Sequence, residues 1–285
     1  MSVSSPLKYD PANPDVVRSV LASLGAAPNR TLGQNFLVDA PSLERIAARA
    51  ALQNDDVALE IGPGLGALSV RLLRDCGRVV AIEKDRKFAE FLRGKLKKLE
   101  LREGDALDFA WADLDLPDAG VKLVANLPYS ISKPILRRFL EDWRPYLRSA
   151  TVLIQREVAA RLVARPSSKE YGPMSIMAAL YCRAECVFDI APQAFLPPPN
   201  VVSTVVHLEM LGAPSLALRD EKKFWTTVRS GFSQSRKTLG NTLKPLAPRE
   251  KLAAAFEAAQ IDPARRAETL SPAEFAKLSE AIFAD

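Results

Sequence analysis

The chain has 285 residues, 48% of them hydrophobic, which suffices for one large domain, or one large and one small, with a buried core. No apolar run approaches the roughly 20 residues that cross a bilayer, and residues 1–15 lack the charged start and apolar stretch of a secretory signal, so neither a membrane span nor export is expected. The net charge of +5, from 39 Lys and Arg against 34 Asp and Glu, is a mild bias whose distribution along the chain matters more than its size.

Residues 1–30 contain Pro and Ser and one short helical pattern near 16–24. They are expected to form a flexible N-terminal arm, disordered over 1–15. A loop over 30–37 leads to a helix at 41–53, with Pro41 in its first turn and Leu43, Ile46, Ala47 and Ala50 on one face. Strands and helices then alternate. Short apolar runs at 57–61, 79–82, 99–102, 121–125 and 150–154 predict strands, with helices at 66–76, 86–98 and 133–142 between them. That alternation predicts an α/β fold with a parallel sheet covered on both faces. Further strands are expected at 181–190 and 201–210, separated by Pro197, Pro198 and Pro199. From 221 onward the pattern is helical only. The expected organisation is an arm over 1–30, an α/β domain over 31–212 and a small helical domain over 213–285.

The three cysteines, Cys76, Cys182 and Cys186, are too few and odd in number for a disulfide framework and suit a reducing cytoplasm. Cys182 and Cys186 have no His or third Cys beside them, so no metal site is expected.

Glu60-Ile61-Gly62-Pro63-Gly64-Leu65-Gly66 ends the first predicted strand of the alternation and opens a helix. Glycine permits a tight turn and lets a ligand approach the backbone without a Cβ in the way. In a doubly wound sheet, ligands lie at the carboxyl ends of the strands. Glu83 ends the next strand, 21 residues beyond Gly62, where a carboxylate can accept both ribose hydroxyls of an adenine nucleoside. Asp105 ends the third and can accept from the adenine amine. A ligand-free turn and a dinucleotide site are the alternatives. The G-x-G-x-G spacing, with an acid two before the first glycine, favours S-adenosylmethionine, and no Walker phosphate loop follows.

Asn126-Leu127-Pro128-Tyr129 ends the fourth strand, beside the expected cofactor. An adenine amine is a poor nucleophile because its lone pair is delocalised into the ring. Two acceptors on its hydrogens, the Asn126 side-chain oxygen and a backbone carbonyl near Leu127, can pull it toward tetrahedral geometry. Pro128 stiffens the turn and Tyr129 offers a ring for an extruded base to stack on. Read alone, the same tetrapeptide is an ordinary strand terminator. The single histidine, His207, sits in a strand pattern away from these motifs and is expected to be structural.

Residues 222–251 carry eight cations, Lys222, Lys223 and the pair Arg236-Lys237 among them, against Glu250 alone. Such a block is either a solvated face or a polyanion site.

From about residue 30 to the end, the chain resembles the bacterial small-subunit ribosomal RNA adenine dimethyltransferases. The stretches that carry the resemblance begin with Leu32-Gly33-Gln34-Asn35-Phe36-Leu37-Val38-Asp39, the glycine turn through Leu68, and Asn126-Leu127-Pro128-Tyr129-Ser130-Ile131-Ser132. Further along they are Gln155-Arg156-Glu157-Val158, Ala194-Phe195-Leu196 with the three prolines after it, and Arg236-Lys237-Thr238-Leu239. The family implies a Rossmann-like class I methyltransferase fold with a small C-terminal helical domain. It implies that Asn35 and Leu37 close over S-adenosylmethionine, that Gly62, Gly64, Glu83, Asp105 and Asn126 line its pocket, and that Phe195 supplies a second aromatic face. It implies dimethylation of two adjacent adenosines in a hairpin near the 3′ end of the RNA. It also implies a cytoplasmic monomer acting on an immature 30S-type subunit. Ser235 stands where the family commonly has another Arg. Three competing readings remain: a large-subunit RNA methyltransferase, a non-catalytic ribosome assembly factor, and a dinucleotide oxidoreductase. The three prolines and the Arg-Lys-Thr block argue against the first. The intact set Gly62, Glu83, Asp105 and Asn126 argues against the second.

Overall fold

The computed structural model describes residues 9–29 and 33–284. Its chain order is α1 (Pro14–Ser23), β1 (Phe36–Leu37), α2 (Ala40–Ala50), β2 (Val57–Ile61), α3 (Ser69–Asp75), β3 (Arg78–Glu83), α4 (Arg86–Lys95), β4 (Leu99–Glu103), β5 (Val121–Asn126), α5 (Ser132–Glu141) and β6 (Leu147–Gln155). There follow α6 (Arg156–Leu162), α7 (Pro173–Tyr181), β7 (Cys182–Ile190), β8 (Phe195–Leu196), β9 (Ser203–Met210), α8 (Glu221–Gly231), α9 (Leu239–Thr242), α10 (Arg249–Ala259) and α11 (Pro272–Ile282).

The main sheet has seven strands in the order β4-β3-β2-β5-β6-β9-β7. The pairs from β4 through β6 are parallel, and β9 runs antiparallel to β6. β2, β3 and β5 are nearly continuous apolar runs because helices cover both faces. The sheet reverses direction of growth between β2 and β5, which opens a crevice at their carboxyl ends.

Local chemistry sets the helix starts. Asp39 caps α2 by accepting from Ser42 N at 3.0 Å, with Pro41 in the first turn. Asp85 caps α4, accepting from Lys87 N and Phe88 N. A two-stranded ladder pairs β1 with β8, Phe36 opposite Leu196 and Leu37 opposite Phe195. Neither strand is expected from the sequence, because two residues carry no readable alternation.

The chain divides into two compact units, residues 1–159 with 185–210, and residues 160–184 with 211–285. The sheet and its core make up the first, in which Leu43, Ile46, Ala58, Leu72, Val79 and Val124 pack together. In the second, Trp225 Nε1 donates to the Tyr181 hydroxyl at 3.0 Å, the Phe232 and Phe275 rings stack, and the Ser271/Glu274 capping box starts α11. The expected boundary at 212/213 therefore misses 160–184, which groups with the C-terminal helices. The end of α6 and all of α7 lie in that stretch; α7 is apolar nearly all round, so its sequence lacks the one-sided period that marks a surface helix.

The expected flexible arm also differs. Residues 1–8 and 30–32 lie outside the described residues. Within 9–29, α1 is capped by Asn13, and it buries Val17 and Leu21 against Leu65 and Phe88. Those two buried side chains, four apart, are its apolar stripe.

Candidate active site

One cavity of about 280 Å³ lies at the carboxyl ends of β2, β3 and β5. It is lined by Asn35, Leu37, Gly62, Gly64, Glu83, Asp105, Asn126, Leu127, Pro128 and Tyr129 together. The expected cofactor residues and the tetrapeptide thus share one hollow.

Glycine suits this turn because the backbone is left-handed at Gly62 and Gly64 and a Cβ at either would crowd a neighbour. Gly62 has φ +66°, and a Cβ there would meet Pro128 Cγ at 3.1 Å. Gly64 has φ +59°, and its Cβ would meet Phe36 Cε1 at 3.2 Å. The turn is therefore held against the tetrapeptide on one side and the β1 aromatic on the other, with the backbone bared to the cavity.

Glu83 is buried at the end of β3. Its Oε2 accepts from Gly64 N at 2.9 Å and its Oε1 from Asp85 N at 2.8 Å. Burial pushes its carboxyl up to about 7, against the pull of those N–H donors. Glu60, two before Gly62, is fully buried; Ser69 Oγ donates to its Oε2 at 2.6 Å. Burial, with the nearby Glu83 charge adding to it, pushes Glu60 up to about 8, so it is mostly protonated at neutral pH. Asp105 behaves oppositely. Burial would raise it, but a 2.7 Å ion pair with Lys84 and the Leu107 N–H at 2.9 Å hold it below the usual carboxylate range.

Around the tetrapeptide, Asn126 Nδ2 donates to Asn35 O at 3.3 Å, and Asn35 Nδ2 donates to Gly33 O at 3.2 Å. Leu127 N donates to Leu153 O at 3.1 Å, which ties the turn to β6. The Pro128 carbonyl accepts from Ile131 N and the Tyr129 carbonyl from Ser132 Oγ, whereas the Leu127 carbonyl accepts from no donor among the described residues. The Tyr129 and Ser203 hydroxyls share a short hydrogen bond that fixes the half-buried ring. One accepting amide oxygen, one accepting carbonyl and a fixed ring suit a planar amine on an aromatic base.

The residues fit an adenine-nucleoside cofactor. A bare glycine backbone, a buried carboxylate on β3 and an ionised one past β4 supply, side by side, the donors and acceptors that such a ligand requires. Among the described residues, no His, Cys, Asp and Glu cluster could hold a metal ion.

Other expected residues lie elsewhere. Phe195 is 2% exposed in the core and pairs with Leu37 across the β1–β8 ladder, so in this conformation it is a packed ring and not an open stacking face. His207 Nδ1 meets Thr151 Oγ1 at 2.9 Å on neighbouring strands, in keeping with a structural role. Lys222, Lys223, Arg236 and Lys237 are exposed on the helical unit; Lys223 also spans to Asp220 and to the Phe283 ring. Sequence reasoning misses Lys84, Gln34 and Phe88, which line the cavity, and leaves Glu60 without a role. Pro11 and Val17 line it too, from a segment that carries no motif.

Comparisons agree with this geometry. A family model described as ribosomal RNA adenine dimethylase matches residues 26–283. "Ribosomal RNA small subunit methyltransferase A" of Clostridium botulinum is 42% identical over 259 residues, 90% of this chain and 94% of that protein. The protein of that name from Magnetococcus marinus is 43% identical over 267 residues, 92% of this chain and 95% of its own. Among solved structures, a dimethyladenosine transferase from Plasmodium falciparum aligns with TM-score 0.72 and 26% identity, covering 85% of this chain and 95% of that one. The 23S rRNA methyltransferase ErmE aligns with TM-score 0.65 and 26% identity, covering 87% and 99%. The chain belongs to the ribosomal RNA adenine dimethylase family.

Proposed function

We propose that the protein transfers methyl groups from S-adenosylmethionine to the N6 amines of two adjacent adenosines near the 3′ end of small-subunit ribosomal RNA. The observation that carries this reading is the single cavity shared by the Asn126–Tyr129 turn and by Gly62, Gly64, Glu83 and Asp105. The curated relatives, named for the small subunit and matched over nine-tenths of the chain, support the choice of RNA. The 23S rRNA enzyme at 26% identity keeps the large-subunit reading as the second one.

The bound cofactor supplies an electrophilic methyl group on a sulfonium. The chain's own residues do the rest. Glu83 receives the ribose hydroxyls and Asp105 the adenine amine of the cofactor, while Asn35 and Leu37 close over it. At the target base, the Asn126 side-chain oxygen and the Leu127 carbonyl each accept one hydrogen of the amine. Asn126 commits its own Nδ2 to Asn35, so its oxygen is left for the substrate. Tyr129, fixed through Ser203, stacks the extruded adenine, an interaction worth on the order of 1–3 kcal/mol. Once methylated, the amine is acidic and loses its proton to water, so no strong base is required. Phe195 would join the stack only after the β1–β8 ladder shifts. Arg236, Lys237, Lys222 and Lys223 contact RNA phosphates. The enzyme works as a cytoplasmic monomer on an immature 30S-type subunit.

The test is methyl transfer from labelled cofactor to immature small subunits of a strain lacking this activity. N6,N6-dimethyladenosine in small-subunit RNA is the expected product. Label in large-subunit RNA, or in none, rejects the proposal.

A further inference from the structure

Residues 9–25 precede the stretch that matches the family model, which begins at residue 26. Yet they are tied to the cavity's own framework at three places. The Tyr9 hydroxyl donates to Leu65 O at 2.9 Å, a carbonyl within the glycine turn. Asp10 accepts from Arg71 Nη1 at 3.0 Å and Nη2 at 3.1 Å. At the far end, Lys87 Nζ donates to Gly25 O at 2.9 Å, from the first turn of α4. Between these anchors, Pro11 and Val17 line the cavity itself.

Arg71 is the strongest of the anchors. It lies on α3, directly after the glycine turn, and its side chain is 2% exposed. A guanidinium there cannot be left unpaired, because desolvating it costs several kcal/mol. Besides Asp10, its Nη1 donates to Ala67 O at 2.7 Å, and its Nε faces Glu44 Oε1 at 3.1 Å as an ion pair without hydrogen-bond geometry. Asp10 is in turn fixed by the Ala12 N–H at 3.0 Å. The Tyr9 ring sits edge-on to Phe91, and Val17 and Leu21 pack on Leu65 and Phe88. The segment therefore bridges the glycine loop after β2 and the start of α4, which the short loop after β3 joins to Glu83.

We infer that residues 9–25 form a strap that completes the cofactor pocket and retains the cofactor, with Tyr9, Asp10 and Arg71 as its positioning residues. The inference rests on the S-adenosylmethionine reading of the cavity. A strap bridging the glycine loop and α4 must loosen, or the two must part, before a ligand between them leaves. It therefore acts on release more than on capture. Among the described residues no hydrogen bond or ring contact joins it to Asn126, Leu127 or Tyr129, so RNA docking is expected to be independent of it.

The experiment is titration of the full-length protein with S-adenosylhomocysteine by calorimetry, with stopped-flow release, for wild type, Tyr9→Phe/Asp10→Asn, and Arg18→Ala. Arg18 lies on α1 but among the described residues pairs with exposed Asp15 alone, and serves as the control. The expected result is affinity about tenfold weaker in the double variant, carried by faster release, with Arg18→Ala and RNA binding unchanged. Hydrogen exchange gives a second measurement on the wild-type chain: amides of residues 14–24 should slow when the ligand binds. Wild-type affinity in the double variant overturns the strap. If the double variant fails to fold, unchanged exchange over 14–24 in the wild type overturns it instead. A wild-type protein that binds no S-adenosylhomocysteine overturns the cofactor reading and the strap with it.

Discussion

Lys84 Nζ lies 2.7 Å from Asp105 Oδ2, joining the segments just past β3 and β4 at the rim of the cavity. The Leu107 N–H holds the other carboxylate oxygen. Asp105 is thereby ionised and oriented before any ligand arrives. The two partners differ in exposure: Lys84 is 55% exposed at its side chain, Asp105 18%. Water screens so exposed an ammonium, and its pair with Asp105 adds little of its own. Asp105→Ala should weaken S-adenosylhomocysteine binding by about tenfold to a hundredfold, the range for a hydrogen bond to a charged group. Lys84→Met should change it by less than about fivefold. Equal losses in the two variants would mean that Asp105 accepts from the adenine only while Lys84 holds it in place.

Asn126 spends its amide N–H on Asn35 O, which couples the target-amine acceptor to the β1 segment that lines the same cavity. Asn126→Ala removes an acceptor whose value grows as the amine becomes tetrahedral. The expected loss is about 10²–10³ in kcat, the magnitude for removing one preorganised polar contact to a developing charge. RNA affinity should hold. Single-turnover methylation alongside an RNA-binding titration separates the two, and parallel loss of both would make Asn126 a docking residue.

The parts of this architecture that recur with a period were legible in the sequence. β2, β3 and β5 are apolar runs ended by Gly62, Glu83 and Asn126, so the strand ends and the residues that gather at them came from pattern alone. What escaped has no period. β1 and β8 are two residues each and owe their existence to one another. Phe195 resembles a stacking residue in its motif, but its ring is taken up by the core against Leu37. α7 is apolar nearly all round and so reads ambiguously. Tyr9 and Asp10 are ordinary residues in sequence; only the fold brings them against Leu65 and Arg71, more than fifty positions away.

Glu60 is buried beside Glu83 and titrates near 8 in the folded chain against 4.5 in an ordinary environment, burial being the main cause. The folded state therefore holds this proton more tightly than the unfolded one. Stability from Glu60 is complete below about pH 4.5 and is lost as pH climbs toward about 8. Glu83, raised to about 7, adds to the same trend. Glu60→Gln keeps an acceptor for Ser69 and cannot ionise. Its melting temperature should fall less than that of wild type between about pH 5 and about pH 8 in the absence of ligand. Calorimetric scans at the two pH values check this, and parallel curves would mean that Glu60 stays charged in the fold.

Arg236 and Lys237 are exposed in the turn between α8 and α9, and the basic block around them, residues 222–251, includes a single acid, Glu250. A solvated face and a phosphate site look alike in composition and differ in their response to salt. Each phosphate neutralised contributes about 0.7–0.9 to the slope of log affinity against log salt. Replacing Arg236 and Lys237 together with Gln should reduce that slope by about 1.5 for small-subunit RNA, with S-adenosylhomocysteine affinity unchanged. Ser235, which offers a hydroxyl and no charge, caps what this turn can contribute at two cations. Ser235→Arg should steepen the slope by about 0.8 if the turn lies on the phosphate backbone. A slope that ignores all three substitutions makes the turn a solvated face and moves the RNA contact to Lys222 and Lys223 on α8.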